Sequence, residues 1–131
     1  MMKSLRWLAL ALLVALLPVS ATAQENEDCE RVPLTQKAVR LIGIFTAERP
    51  ERFYCVFGQR GQHMKITIIP QTPDLNAQGN VHFPHGDLEP GGPGGVIFNE
   101  QLRDDGLYRI RIAQRFGEKK AGQFELMIEL E

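Results

Sequence analysis

The chain has 131 residues, 15 of them Lys or Arg and 16 Asp or Glu, for a formal net charge of −1. A chain of this length holds one hydrophobic core, not two. Its basic residues are interleaved with acidic ones, which excludes a nucleic-acid-binding surface of the usual basic kind.

The first 23 residues, MMKSLRWLALALLVALLPVSATA, carry Lys3 and Arg6, an apolar run from Trp7 to Leu17, Pro18, and the small-residue pattern Ala21, Thr22, Ala23. This is the pattern of a secretory signal peptide cut after Ala23. The apolar run is about half of the roughly 20 residues that a membrane span needs. Asn26, Glu27 and Asp28 precede Cys29, where a lipid-modified cysteine would have small and aliphatic neighbours. Removing residues 1 to 23 leaves 108 residues with 13 basic and 16 acidic side chains, a net charge of −3. The expectation is therefore a periplasmic or secreted protein with no stable membrane insertion after cleavage.

Export places Cys29 and Cys55, the two cysteines of the chain, in an oxidising compartment, and a disulfide between them is the simplest use of both. Closing that loop would stabilise the fold by roughly 3 to 4 kcal/mol in the chain-entropy model. The pair lacks the CxxC spacing of a redox site.

Residues 24 to 38 are polar and charged and read as an N-terminal arm; residues 39 to 131 read as a single domain. Within it the apolar pattern has period two. Residues 39 to 46 (VRLIGIFT), 52 to 57 (RFYCVF) and 62 to 69 (QHMKITII) each read as a strand with one buried face, and in the third Met64, Ile66 and Ile68 point inward. Short strands are expected at 80 to 83 and 96 to 98, and longer ones at 107 to 114 (LYRIRIAQ) and 123 to 130 (QFELMIEL). The turns between them are short and rich in Gly, Pro and Asp, which favours antiparallel hairpins over helical crossovers. If the last two strands pair as a hairpin, Arg109 and Arg111 can face Glu125 and Glu129. The fold class expected is all-β: an antiparallel β-sandwich of jelly-roll or immunoglobulin-like type with seven to eight short strands.

Several residues in this frame resemble a known family. RFYCVFGQRGQHMKITIIP resembles the bacterial pre-peptidase C-terminal (PPC) domain, where an aromatic strand is followed by a Gly-Gln turn and a strand of alternating aliphatics. LRDDGLYRIRIAQ and GQFELMIEL resemble its closing hairpin, with Gly106 and Tyr108 as a Gly-x-Tyr corner. Among small exported proteins the pattern is similar to bacterial periplasmic inhibitors of g-type and i-type lysozymes. That resemblance implies a lysozyme or other envelope protein as partner. It also implies a contact surface formed by the run before the corner and by the basic loop with Arg115, Lys119 and Lys120. In the family the run carries a Ser-Gly loop with a nearby tyrosine; here Phe98, Asn99 and Glu100 stand in those places.

Other chemistries are less well supported. His82 and His85, with Asp87 and Glu89 nearby, have ligand types that suit Zn or Cu. Residues three apart on a strand face opposite ways, so a shared ion requires a turn at Pro84. DLNAQG, residues 74 to 79, echoes the start of a calcium loop, yet His85 stands where the bidentate Glu belongs. No serine follows residue 23 and no nucleophile motif is present, so no enzymatic activity and no cofactor are expected. The Gly/Pro-rich stretch VHFPHGDLEPGGPGG, residues 81 to 95, reads as a Gly-shaped or mobile connection suited to recognition. The leading reading is a periplasmic binding module that occludes an enzyme cleft with its loops. Two alternatives stay open: an accessory cell-envelope protein without inhibitory activity, and a metal-binding protein using His82 and His85.

Overall fold

The computed structural model describes residues 29 to 89 and 91 to 131; the signal peptide expected at residues 1 to 23 lies outside the described residues. In chain order the strands are β1 (Glu30–Arg31), β2 (Ala38–Phe45), β3 (Arg52–Gly58), β4 (His63–Pro70), β5 (Ala77–His82), β6 (Leu88–Glu89), β7 (Gly95–Gln101), β8 (Gly106–Gln114) and β9 (Gly122–Leu130), with a 3-10 turn at Arg115–Gly117. They form two sheets, ordered β1-β3-β8-β5-β6 and β2-β9-β4-β7. Every strand pairing is antiparallel except that of β1 with β3. The chain is thus a β-sandwich, as its period-two pattern predicts.

The alternation explains why these segments become strands and why the sheets face each other. Tyr54, Val56, Ile110, Ile112 and Val81 from the first sheet meet Phe45, Met64, Ile66, Phe124 and Ile128 from the second, each at 1% exposure or less. Burying side chains of this size stabilises the fold by about 1.5 to 3 kcal/mol apiece before conformational entropy is charged against it. The pairing of β4 with β7 shifts register between Ile66 and Thr67. That bulge turns two consecutive residues, Ile97 and Phe98, into the core.

The connections differ from the sequence-based expectation. Apart from β5 with β6, consecutive strands do not pair: β8 lies between β3 and β5, whereas β9 lies between β2 and β4 in the opposite sheet. The closing hairpin of 107 to 114 with 123 to 130 therefore does not form, and Arg109 and Arg111 do not face Glu125 and Glu129. Arg111 pairs instead with Glu51 at the start of β3, and the Arg109 guanidinium sits 4.3 Å from the Phe53 ring centroid. Glu125 lies 3.7 Å from Arg40 across the β2 and β9 pair. The physical reason is the core: each strand carries its apolar face to the interior, and the turn chemistry does not decide which sheet supplies it.

Two features pin the first sheet's edges. Cys29 and Cys55 are disulfide-bonded with Cα atoms 5.6 Å apart, which lays β1 beside β3 in the register Glu30 to Tyr54 and Arg31 to Cys55. The Val32 N–H then donates to the Cys55 carbonyl at 2.9 Å. At the other edge the Gly/Pro-rich stretch folds back along β5. Val81 pairs with Glu89 and His82 with Leu88, the Gly79 N–H donates to Gly92 at 3.2 Å, and the Gly94 N–H donates to Ala77 at 2.9 Å. Gly91 makes this approach possible, since a Cβ there would stand 2.0 Å from the Gly79 carbonyl oxygen. Far from hanging free, the stretch covers a sheet edge.

Candidate functional site

The residues singled out from sequence fall at opposite ends of the sandwich. β8 spans nine residues, about 27 Å at the usual strand rise; the run containing Phe98, Asn99 and Glu100 approaches its start, and the basic loop follows its end.

At the basic end, β8 stops at Gln114, whose side chain is buried. The Gln114 Nε2 donates to the Lys120 carbonyl at 2.9 Å and its Oε1 accepts the Lys120 N–H at 3.0 Å. One amide thereby clamps both arms of the loop, and burial removes water as a competitor for those bonds. The Arg115 N–H donates to the Asn76 carbonyl at 3.0 Å, and the Lys120 Nζ donates to the Asp74 carbonyl at 3.3 Å while lying 3.7 Å from Glu118. The DLNAQG turn thus supports this loop with its carbonyls, and its last three residues belong to β5.

The clamped loop presents one aromatic side chain. Phe116 is 86% exposed and sits at φ +58, a left-handed conformation that costs an L-residue roughly 1 to 2 kcal/mol. The Arg115 guanidinium lies 4.8 Å from its ring centroid, within cation-π range, and Lys119 is exposed beside it. A large apolar ring is thus held out in water on a strained and clamped backbone, with Arg115 and Lys119 around it. The sequence reading named Arg115, Lys119 and Lys120 but missed Phe116. Its signal was an aromatic isolated among charged residues between two strands, with no periodic partner in the core.

At the opposite end, the run before the corner divides by side-chain direction. Phe98 is 4% exposed and packs edge-on to Phe83 at 5.9 Å, so its ring belongs to the core. Asn99 points outward, its Oδ1 hydrogen-bonded to His63 Nε2. Glu100 continues the inward face past the end of the packed core and lines a cavity of about 310 Å³. Burial pushes its carboxyl above the usual carboxylate range, and the charge of the neighbouring Glu89 raises it further.

The corner itself forms as the Gly-x-Tyr pattern predicts. Gly106 takes φ +140 against Pro84, and Tyr108, 1% exposed, donates its hydroxyl to the Asp104 carbonyl at 2.8 Å. His85 lines the cavity, with Nε2 3.0 Å from Asp87 and Nδ1 2.7 Å from Asp104. The Asp87 hydrogen bond, ahead of Asp104, holds the imidazole above its ordinary value of 6.5. His82 sits on β5 opposite Leu88, apart from these contacts. Among the described residues no group of three or more His, Cys, Asp or Glu is arranged to hold a metal ion, and no helix is long and apolar enough to cross a membrane.

No family model matches the chain, and no curated protein matches it in sequence. Solved structures do resemble it. The periplasmic lysozyme inhibitor of g-type lysozyme PliG from Aeromonas hydrophila is 24% identical with a TM-score of 0.61, over 77% of this chain and 94% of that one. The Salmonella Typhimurium PliG is 16% identical with a TM-score of 0.58, over 79% and 98%. The pre-peptidase C-terminal domain of a Bacillus anthracis collagenase is 14% identical with a TM-score of 0.60, over 79% and 96%. The fold is shared with PliG inhibitors and PPC domains, and these solved neighbours are inhibitors and a PPC domain, not catalytic domains.

Proposed function

We propose that this chain is an exported, periplasmic protein-binding module that inhibits a lysozyme, with the g-type as first candidate, by occluding its cleft with the loop of residues 115 to 120. The reading is carried by Phe116, 86% exposed at φ +58 on a loop clamped by a buried glutamine. Phe116 would enter the cleft as the apolar anchor, and Arg115, Lys119 and Lys120 would pair with carboxylates at its rim. Such an arrangement places the binding free energy in one central aromatic and uses the charges to steer and orient the encounter. Because the loop is already held in place, docking loses little conformational entropy. Inhibition of this kind is steric and asks no chemistry of the inhibitor. Support comes also from the two PliG neighbours, both described as periplasmic inhibitors of g-type lysozyme, and from the signal-peptide pattern of residues 1 to 23.

The test is a turnover assay of c-type, g-type and i-type lysozymes with the purified, oxidised chain lacking residues 1 to 23. Saturable inhibition of the g-type enzyme is the expected result. Full activity of all three enzymes at micromolar inhibitor would reject the reading and favour an accessory envelope role for the same sandwich.

A further inference from the structure

The cavity at the far end of the sandwich is built differently from the Phe116 loop. Its floor is aromatic: Phe83 lies 5.9 Å from Phe98 and 5.7 Å from Tyr108, both edge-on. Leu88, half exposed, and the buried Leu102 add apolar surface to the lining. Two carboxylates, Glu89 and Glu100, line this surface within hydrogen-bonding reach of each other, and both their like charge and that hydrogen bond raise the affinity of Glu100 for a proton. Two further carboxylates at the rim, Asp87 and Asp104, are already engaged by His85. The one cation lining the cavity besides His85 is Arg103, and its favourable effect on Glu100 ranks below burial and below Glu89. Four carboxylates thus line the site, Asp87, Glu89, Glu100 and Asp104, against Arg103 and His85, so its lining is net acidic over an aromatic floor.

A guest that relieves this surplus must carry positive charge and tolerate an apolar wall. An anion would add to the negative charge of this lining, and a neutral ligand would do nothing to offset it. A guanidinium meets both demands. It is weakly hydrated, stacks on aromatic faces and bonds carboxylates in its own plane. The volume of about 310 Å³ is at the lower end of ligand sites, enough for one long side chain. We infer that this cavity is a receptor for an arginine side chain of a protein partner, its head between Glu89 and Glu100 and its stem along Phe83 and Leu88. The inference goes beyond the inhibitor reading and is independent of it, because the cavity and the Phe116 loop lie at opposite ends of β8. One molecule then offers two separate contacts, an inserted aromatic at one end and an acceptor for a basic side chain at the other.

The experiment is a titration of the oxidised protein with the capped peptide Gly-Arg-Gly, followed by amide and aromatic chemical shifts, with the Gly-Lys-Gly and Gly-citrulline-Gly peptides as comparisons. The arginine peptide is expected to shift residues around Phe83, Tyr108 and Glu100 in a saturable way. Glu100→Gln and Glu89→Gln, near-isosteric changes whose folding is checked by spectral dispersion, are each expected to weaken it about tenfold, the scale of one lost charged hydrogen bond. Citrulline should produce no saturable shift. The inference is overturned if citrulline binds as well as arginine, if lysine matches arginine, or if the arginine shifts scatter over the surface and survive in folded Glu100→Gln.

Discussion

Phe116 and His85 show how single residues carry most of what is particular to this molecule. Phe116 was missed in the sequence and His85 was read there only as a metal-ligand candidate, because φ and the far partner of a loop side chain are set by three-dimensional context. Phe116 holds a left-handed backbone that glycine adopts without strain. Phe116→Gly should therefore raise stability by about 1 kcal/mol, read as a higher urea midpoint at unchanged slope; a lower midpoint would show that the ring packs on the fold. His85 ties the turn after β5 to the corner before β8 through Asp87 and Asp104. Its raised pKa means that the protonated form is favoured in the folded state. The stabilisation from this tie is fully present below the unfolded value and is lost as pH rises through the higher folded value. An NMR titration should place the His85 midpoint above 6.5 and lower it in Asp87→Asn, the larger contributor; a midpoint unmoved by that change would contradict the assignment. The division of Phe98, Asn99 and Glu100 between core, outer surface and cavity was not legible either: the strand expected at 96 to 98 runs on to Gln101, and the bulge against β4 sets which of its residues turn inward.

Strands were legible wherever one face is apolar over six or more residues, as in β4 and β9, since alternation is a local property. Their partners were not, because pairing depends on which sheet each inward face must complete. The PPC resemblance drew attention to the last two strands, yet it could not replace that long-range information. The Gly/Pro stretch is the clearest case: its composition reads as slack, and its backbone hydrogen bonds make it an edge. Gly91→Val should detach it by forcing a Cβ onto the Gly79 carbonyl. A loss of about 1 to 3 kcal/mol is expected, together with faster amide exchange at Gly79 and Gly94; unchanged exchange at both would mean the edge does not need that approach. The Cys29–Cys55 bond holds the opposite edge. Reducing it, or replacing Cys55 by Ala, should cost about 3 kcal/mol in urea unfolding, and a change below about 0.5 kcal/mol would show that β1 stays in place without the bond.

At the scale of the whole molecule, a rigid sandwich separates two ends of different chemistry by the length of one strand. Neither end needs the other to form, since the basic loop is fixed by Gln114 and the cavity by the Tyr108 corner. Damage to one is expected to leave the other intact, which makes the two contacts separable by mutation. The central claim is that the strained, exposed aromatic exists for a partner. The most direct measurement is the inhibition constant for g-type lysozyme of the native chain, Phe116→Gly and Asn99→Ala under identical conditions. The account predicts that Phe116→Gly, though the more stable protein, weakens inhibition about 30-fold or more, the scale of a central interface anchor, while Asn99→Ala inhibits as the native chain does. Equal inhibition by the native chain and Phe116→Gly would contradict it.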